Sequence, residues 1–448
     1  MKATSGQLNL PGVPASGAKQ GREVPARWAW TEASVWAERM LATLERGIKG
    51  GQWYSLNDKV WRMENLQSAV AKVTGNKNPR TPDGQRWQRY AAQKDRRLPC
   101  LQAQLRCGEY QPQPVNRVWI PKLGSKELRP LGVPTVEDRV VQMALRHVIE
   151  PIFEQTFAEQ SYGFRPGRGA KDALRRVQHL LDAGQVWVVD ADIKGYFDTI
   201  PQDKLLAAVA ERISDGAVLD LIQRFLKQGV METGKGWQPT DNGTPQGAVI
   251  SPLLANIYLN PLDHEMARRG WYMVRYADDF VVLCRSREAA EAALAAIREW
   301  TKAAGLTLHP DKTRIVNAEE RGGFDFLGYH FERGLRWPRE KSLAKFKEAI
   351  RAKTGRLRPG SLGDIIDDVN RTLRGWMNYF RHSHWNTFKP LDQWVRQRLR
   401  SILRKRHRLS GRARGRDHQR WPNDYFVACG LISLALVHRK AANGHPPH

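Results

Sequence analysis

The sequence predicts an α+β chain: a mixed region of strands and helices, followed by a helical region that is strongly basic. Three observations carry that expectation. Between about residues 115 and 335, short β-rich runs bounded by Gly and Pro alternate with segments of helical period. After Arg333 helical period dominates, over Leu343 to Leu357, Ile365 to Phe380 and Leu391 to Arg406. Within the mixed region, Val274 to Leu283 places Asp278 and Asp279 between two apolar runs, the pattern of a hairpin with carboxylates at its tip.

In chain order, residues 1–28 are rich in Gly, Pro, Ala and Ser without periodicity and read as a disordered leader. Residues 29–114 read as an N-terminal helical extension and the start of the next domain, with helical spacing over Thr31 to Glu45 and Asn65 to Val73. Residues 115–335 hold the mixed region. Val115 to Lys122 alternates as a strand and meets Leu128 to Val133 across a Gly124–Ser125 turn, so Lys122 and Arg129 stand on the two arms of one hairpin. Two cations on a rigid hairpin suit a triphosphate; a solvated basic hairpin is the alternative. Glu137 to Phe153 carries an apolar face of helical period, and a Gly/Pro loop from Ser161 to Arg168 precedes another helix. Gly243 to Gly247 is a loop before a helix from Ser251 through Leu259. Phe324 to Phe331 alternates as a hairpin arm. Residues 336–408 form the helical bundle and 409–448 a basic tail.

Composition narrows the function classes. The 448 residues carry 72 Lys and Arg against 46 Asp and Glu, a net charge of +26, so a polyanion is the expected partner. Sixteen Trp offer rings for stacking on bases. No apolar run reaches the length of a membrane span, and the N-terminus lacks the apolar core of a signal peptide. Cys100, Cys107, Cys284 and Cys429 form no Cys-x-x-Cys pair, which argues against a zinc site or a disulfide framework and for a reducing cytoplasm.

Two adjacent buried carboxylates are costly unless a cation neutralises them, and Mg²⁺ with hard oxygen ligands is the natural one. A third carboxylate comes from the strand Val186 to Asp192, which turns through Gly195. Asp192 stands at its exit; Asp190 and Asp198 are the competitors, each also readable as a cap or turn residue. Such a trio suits two-metal phosphoryl transfer. In the last helix and beyond, Arg396, Arg400, Arg404, Lys405, Arg406 and Arg408 make a lopsided basic run downstream of Trp376, Tyr379, Trp385 and Trp394. Nucleic-acid backbone binding is the expected role of that run.

Taken together, these motifs resemble a known family. Tyr276-Ala277-Asp278-Asp279 resembles the Tyr-x-Asp-Asp signature of reverse transcriptases. Ile120-Pro121-Lys122 with Arg129-Pro130-Leu131-Gly132, Ser161 to Gly167, Asp192 to Asp198, Pro245-Gln246-Gly247, Leu308 to Lys312 and Phe326 to Tyr329 look like the successive blocks of bacterial group II intron reverse transcriptase–maturases. Arg374 to Phe380 looks like that family's thumb signature.

The resemblance implies a right-hand polymerase, with fingers and an antiparallel palm followed by a helical thumb. It implies that Asp192, Asp278 and Asp279, with the Ile193 carbonyl, hold two Mg²⁺. Lys122 and Arg129 would contact the incoming deoxynucleoside triphosphate, Phe197 would sit under its sugar, Gln246 near the nascent base pair, and Lys312 would be a proton donor to pyrophosphate. The partners implied are intron RNA as template and a DNA primer or target. An aromatic Phe197 and Ala277 both point to DNA rather than RNA synthesis. The short segment after the thumb resembles the endonuclease-less members, while Asn78 to Gly84 departs from the family's usual N-terminal block. A maturase acting only as an RNA-binding splicing cofactor, and a relative domesticated for defence or CRISPR adaptation, are the alternatives.

Overall fold

A computed structural model describes residues 27–48, 50–75, 87–121, 128–409 and 415–442. Within them eleven strands form three sheets. The first, in the order β2-β1-β4-β5, joins Leu128–Val133, Val115–Pro121, Val230–Glu232 and Gly236–Gln238. It is mixed rather than wholly antiparallel, because β1 runs parallel to β4 while pairing antiparallel with β2. The second sheet, β6-β7-β3-β8, is antiparallel throughout and is the palm: Tyr272–Tyr276, Asp279–Cys284, Trp187–Asp192 and Arg314–Asn317. The third, β11-β10-β9, joins Leu335–Pro338, Tyr329–Glu332 and Phe324–Phe326 at the base of the thumb.

The apolar run from Phe324 to Phe331 is a whole hairpin and not one arm. It turns at Leu327 (φ +46°) and Gly328 (φ +85°). Two consecutive positive φ values define the tight turn whose twist matches paired strands.

Helices cover the palm. Val136–Glu154 begins with Thr135, whose hydroxyl accepts the Asp138 N–H at 3.1 Å. It packs on Met63–Gly75, where Asn65 donates to the Ala144 carbonyl (3.0 Å) and His147 Nδ1 meets Asn65 Oδ1 (2.8 Å). The helix expected from Thr31 begins only at Glu38, because the Thr31 hydroxyl and N–H both turn back to the Trp28 carbonyl. Trp28 itself is buried, inside the stretch expected to be a leader. The helix expected to stop near Leu259 continues to Arg268 through Pro261, which lacks the N–H donor for one helical bond.

The thumb comprises Glu340–Lys353, Leu362–Phe380 and Phe388–Arg406 around Phe346, Ile366, Val369, Leu373, Val395 and Leu399. Ser361 and Asp364 form a capping box at its second helix. The segment expected to be a tail belongs to this core: Trp421, Phe426, Leu431 and Leu434 are buried in it. Asp392 receives the Leu434 N–H (2.9 Å) and the Ser433 hydroxyl (2.7 Å), and Asn370 donates to the Gly430 carbonyl (2.8 Å). Tyr329 and Tyr379 lock the thumb to the third sheet, the Tyr329 hydroxyl donating to the Tyr379 carbonyl and the Tyr379 hydroxyl to the Leu327 carbonyl.

Candidate active site and nucleic-acid interface

The palm register brings the expected carboxylates together. Tyr276 pairs with Asp279, which leaves Ala277 and Asp278 as a two-residue tip. Asp279 lies directly opposite Asp192 on the neighbouring strand. Ala277 has φ +61°, a conformation that costs a residue with a Cβ.

Two neighbours hold that turn. Gly163 lies against it so closely that a Cβ there would come within 2.3 Å of the Ala277 nitrogen. Arg275, fully buried, donates to the Ala277 carbonyl (2.9 Å), to Asn256 Oδ1 (2.8 Å) and through Nε to Asp263 Oδ1 (2.8 Å). Asn256 in turn donates to the Gly163 carbonyl at 2.8 Å, which closes the network.

Cations surround the carboxylates. Lys312 Nζ reaches Asp192 Oδ2 at 2.6 Å, and Arg314 Nε reaches Asp190 Oδ2 at 3.2 Å. Asp190 and Asp192 share a face of β3, being two residues apart. Burial raises the Asp278 carboxyl, and the Asp192 charge adds to that. Asp279 keeps solvent contact at the mouth of the cleft yet is densely surrounded by protein. That desolvation, followed by the charges of Asp190, Asp278 and Asp192, pushes it up to about 7. Asp190 is raised by burial against the opposing pull of Arg314.

The expected substrate residues converge beside this cluster. The Phe197 carbonyl accepts the Thr244 N–H at 2.7 Å, and a Cβ on Gly243 would meet that carbonyl at 2.5 Å. Phe197 lines a cavity of about 450 Å³ together with Gln246, Arg117 and Asp198. The Gly132 N–H donates to the Gln246 carbonyl at 2.7 Å, tying this loop to the β1–β2 hairpin. Burial raises the carboxyls of both Asp278 and Asp198, and the charge of Arg129, exposed on that hairpin, opposes the rise at each. Ile193 is buried and bridges Leu308. Lys122 lies outside the described residues.

Among the described residues no three Asp, Glu, His or Cys side chains are already closed on an ion site. The donor chemistry nonetheless fits a hard divalent ion: clustered carboxylate oxygens whose mutual repulsion a cation would remove. Sequence reading missed Arg314, Arg117 and Arg339, whose charge also opposes the rise at Asp279. None of the three has a local signal, since each acts through a partner set by the fold.

Residues 120–331 match the reverse transcriptase (RNA-dependent DNA polymerase) family, and residues 343–421 match the group II intron maturase-specific domain. Protein YkfC of Escherichia coli is 35% identical over 352 residues, which cover 69% of this chain and 86% of YkfC. The chain belongs to the group II intron reverse transcriptase–maturase family. The intron-encoded protein LtrA of Lactococcus lactis is 45% identical over 161 residues, a stretch spanning 36% of this chain and 26% of LtrA. A protein in the cob intron of Schizosaccharomyces pombe is 28% identical over 62% of the chain and 45% of its own length. This reverse transcriptase–maturase thus joins an RNA-directed DNA polymerase domain to a domain that binds RNA. Reverse transcriptases as a family use divalent metal ions. Among its described residues no helix is long and apolar enough to cross a membrane.

The maturase domain corrects the expected basic face. Arg400 is buried: its Nε donates to the Trp421 carbonyl (3.0 Å), its Nη2 to Asn423 (3.0 Å), and it covers the Phe426 ring. Arg404 is bound by Asp417 at 2.6 Å. Both pin residues 415–428 onto the bundle, so neither is placed to meet a phosphate. Arg396 is half-buried, whereas Lys405, Arg406 and Arg408 are exposed.

Proposed function

We propose that the reverse transcriptase–maturase copies intron RNA into DNA at the cleft of Asp192, Asp278 and Asp279, and assists splicing through RNA contacts elsewhere, working in the cytoplasm where the intron is transcribed. The observation that supports the catalytic reading best is the register that sets Asp279 against Asp192, with Asp278 at an adjacent, braced tip. Those three carboxylates and the Ile193 carbonyl would hold two Mg²⁺. Bound there, the ions supply activation of the primer 3′-hydroxyl and charge stabilisation of the leaving pyrophosphate.

The chain's own residues do the rest. Arg129 binds the triphosphate of the incoming deoxynucleotide, joined by Lys122. Gln246 faces the nascent base pair. Lys312, whose ammonium already reaches Asp192, is placed to give a proton to the departing pyrophosphate. Phe197 lies under the sugar, where its ring excludes a 2′-hydroxyl.

Single-nucleotide extension of a DNA primer on an RNA template tests this reading. Wild type should add deoxynucleotides and reject ribonucleotides. Phe197→Ala should raise ribonucleotide use relative to deoxynucleotide use by about tenfold or more, the equivalent of about 1.4 kcal/mol of lost steric exclusion. Unchanged discrimination would reduce Phe197 to packing against Tyr196, whose ring stands 5.6 Å away.

A further inference from the structure

The edge strand of the palm carries a second concavity, at the end of β6 away from the catalytic tip. Tyr272 to Tyr276 is five residues, four steps along the strand, so roughly 13 Å separates it from the turn. The cavity encloses about 560 Å³, and its walls include Tyr162, Trp271, Tyr272, Arg168 and Arg176.

Its chemistry is lopsided. The Arg168 guanidinium carbon stands 5.8 Å from the Tyr162 ring centre and that of Arg176 stands 5.9 Å from Tyr272. Arg269 lies 5.6 Å from Trp271. Arg168 donates one N–H to the Glu159 carbonyl and Arg176 meets His179 Nδ1, and among the described residues neither guanidinium closes an ion pair with a carboxylate. Glu154 is taken by Arg165 at 2.7 Å. Burial first, and then the Arg165 charge, lower the Arg168 pKa against the opposing charges of Glu154 and Glu159.

Two half-buried guanidiniums against the single exposed carboxylate of Glu159 in the lining, beside three partly exposed rings, match one class of ligand. A base stacks on the rings whatever its identity, and planar guanidinium forks hold a phosphate by two hydrogen bonds at once. The net charge of +26 supplies the field that draws such a chain in. We propose that this concavity binds one unpaired nucleotide of a held RNA, its base against Tyr162, Trp271 and Tyr272 and its phosphate between Arg168 and Arg176. The site is separate from the catalytic cleft and does not depend on the chain polymerising.

The test uses the full chain and a single-stranded octauridylate carrying 4-thiouridine. Photo-crosslinking followed by peptide mass mapping should label the peptides holding Tyr162, Trp271 and Tyr272. Changing Arg168→Gln and Arg176→Gln together should weaken oligonucleotide binding about tenfold and reduce the slope of log affinity against log salt by about 1.4, at about 0.7 per phosphate contact on a single strand. Primer extension at saturating primer–template should stay at the wild-type rate. Because Arg168 also braces its own loop, Arg176→Gln alone serves as the second variant and should reduce the slope by about 0.7. Crosslinks confined to other peptides, with both slopes unchanged, would overturn the proposal. Uridine monophosphate competing as well as the octauridylate for the crosslinked peptides would also overturn it, by showing the ligand to be a free nucleotide.

Discussion

Asp192→Asn is expected to abolish primer extension while leaving the protein folded. The substitution keeps the shape of the side chain and removes one negative charge from the strand that faces Asp279. If Asp192 shares the metal ions, the loss is several kcal/mol of transition-state stabilisation, about a thousandfold or more in rate. Folding should not suffer. The Asp192 charge is one of those that raise Asp279 and Asp278, so its removal relieves crowding. Against that stands only the ion pair with Lys312, whose side chain is 60% exposed and is therefore worth about 1 kcal/mol at most. A thermal melt beside a primer-extension time course separates the two effects. Extension by Asp192→Asn near the wild-type rate would remove Asp192 from the site and turn attention to Asp190, which shares its face of β3.

Asp263→Ala is expected to give the largest loss of stability. Asp263 and Arg275 are both fully buried, and removing the carboxylate strands a guanidinium that keeps only Asn256 and the Ala277 carbonyl as acceptors. Breaking a buried pair in this way costs about 3–5 kcal/mol, which lowers the melting temperature by about 6 to 20 °C. Extension should slow as well, because the same guanidinium holds the Ala277 turn that aims Asp278. A double replacement, Asp263→Leu with Arg275→Met, separates the two roles. Apolar residues of similar volume restore most of the stability, but nothing then grips the Ala277 carbonyl, so extension should stay slow. A melt of Asp263→Ala within about 2 °C of wild type would show that the pair contributes little. Full extension by the double variant would show that the turn holds itself.

What the sequence made legible was local. Asp278 and Asp279 stand out because a hairpin tip is written in consecutive residues, and Asp192 because strand and turn are adjacent. Phe197 follows from the family resemblance, which puts a sugar-selecting aromatic at its distance past Asp192. What stayed hidden depends on partners far along the chain. Arg400 and Arg404 read as phosphate-binding cations in a basic run. Only the return of Trp421, Asn423 and Asp417 onto the same helix turns them inward. The helix read as ending at Leu259 runs on through Pro261, where Asn260 accepts the Ala158 N–H and donates to the Thr156 carbonyl, anchoring that turn. Arg275 sits among apolar neighbours with its acid twelve residues earlier on a helix, and no periodicity announces such a pair. The Leu327–Gly328 turn was missed because an alternating run of apolar residues hides a two-residue reversal.

The central claim is that polymerisation and RNA assistance reside in one chain but on different surfaces. Asp278→Asn with Asp279→Asn removes two charges from the cleft and alters none of Lys405, Arg406 and Arg408 on the exposed thumb face. The decisive measurement runs two assays on this variant and on wild type: cDNA synthesis from a primed RNA, and splicing of the cognate group II intron at near-physiological Mg²⁺. Wild type should perform both; the double variant should make no cDNA yet splice at close to the wild-type rate. Loss of both activities by a folded, RNA-bound variant would contradict the separation, and cDNA synthesis by the variant would contradict the catalytic assignment itself.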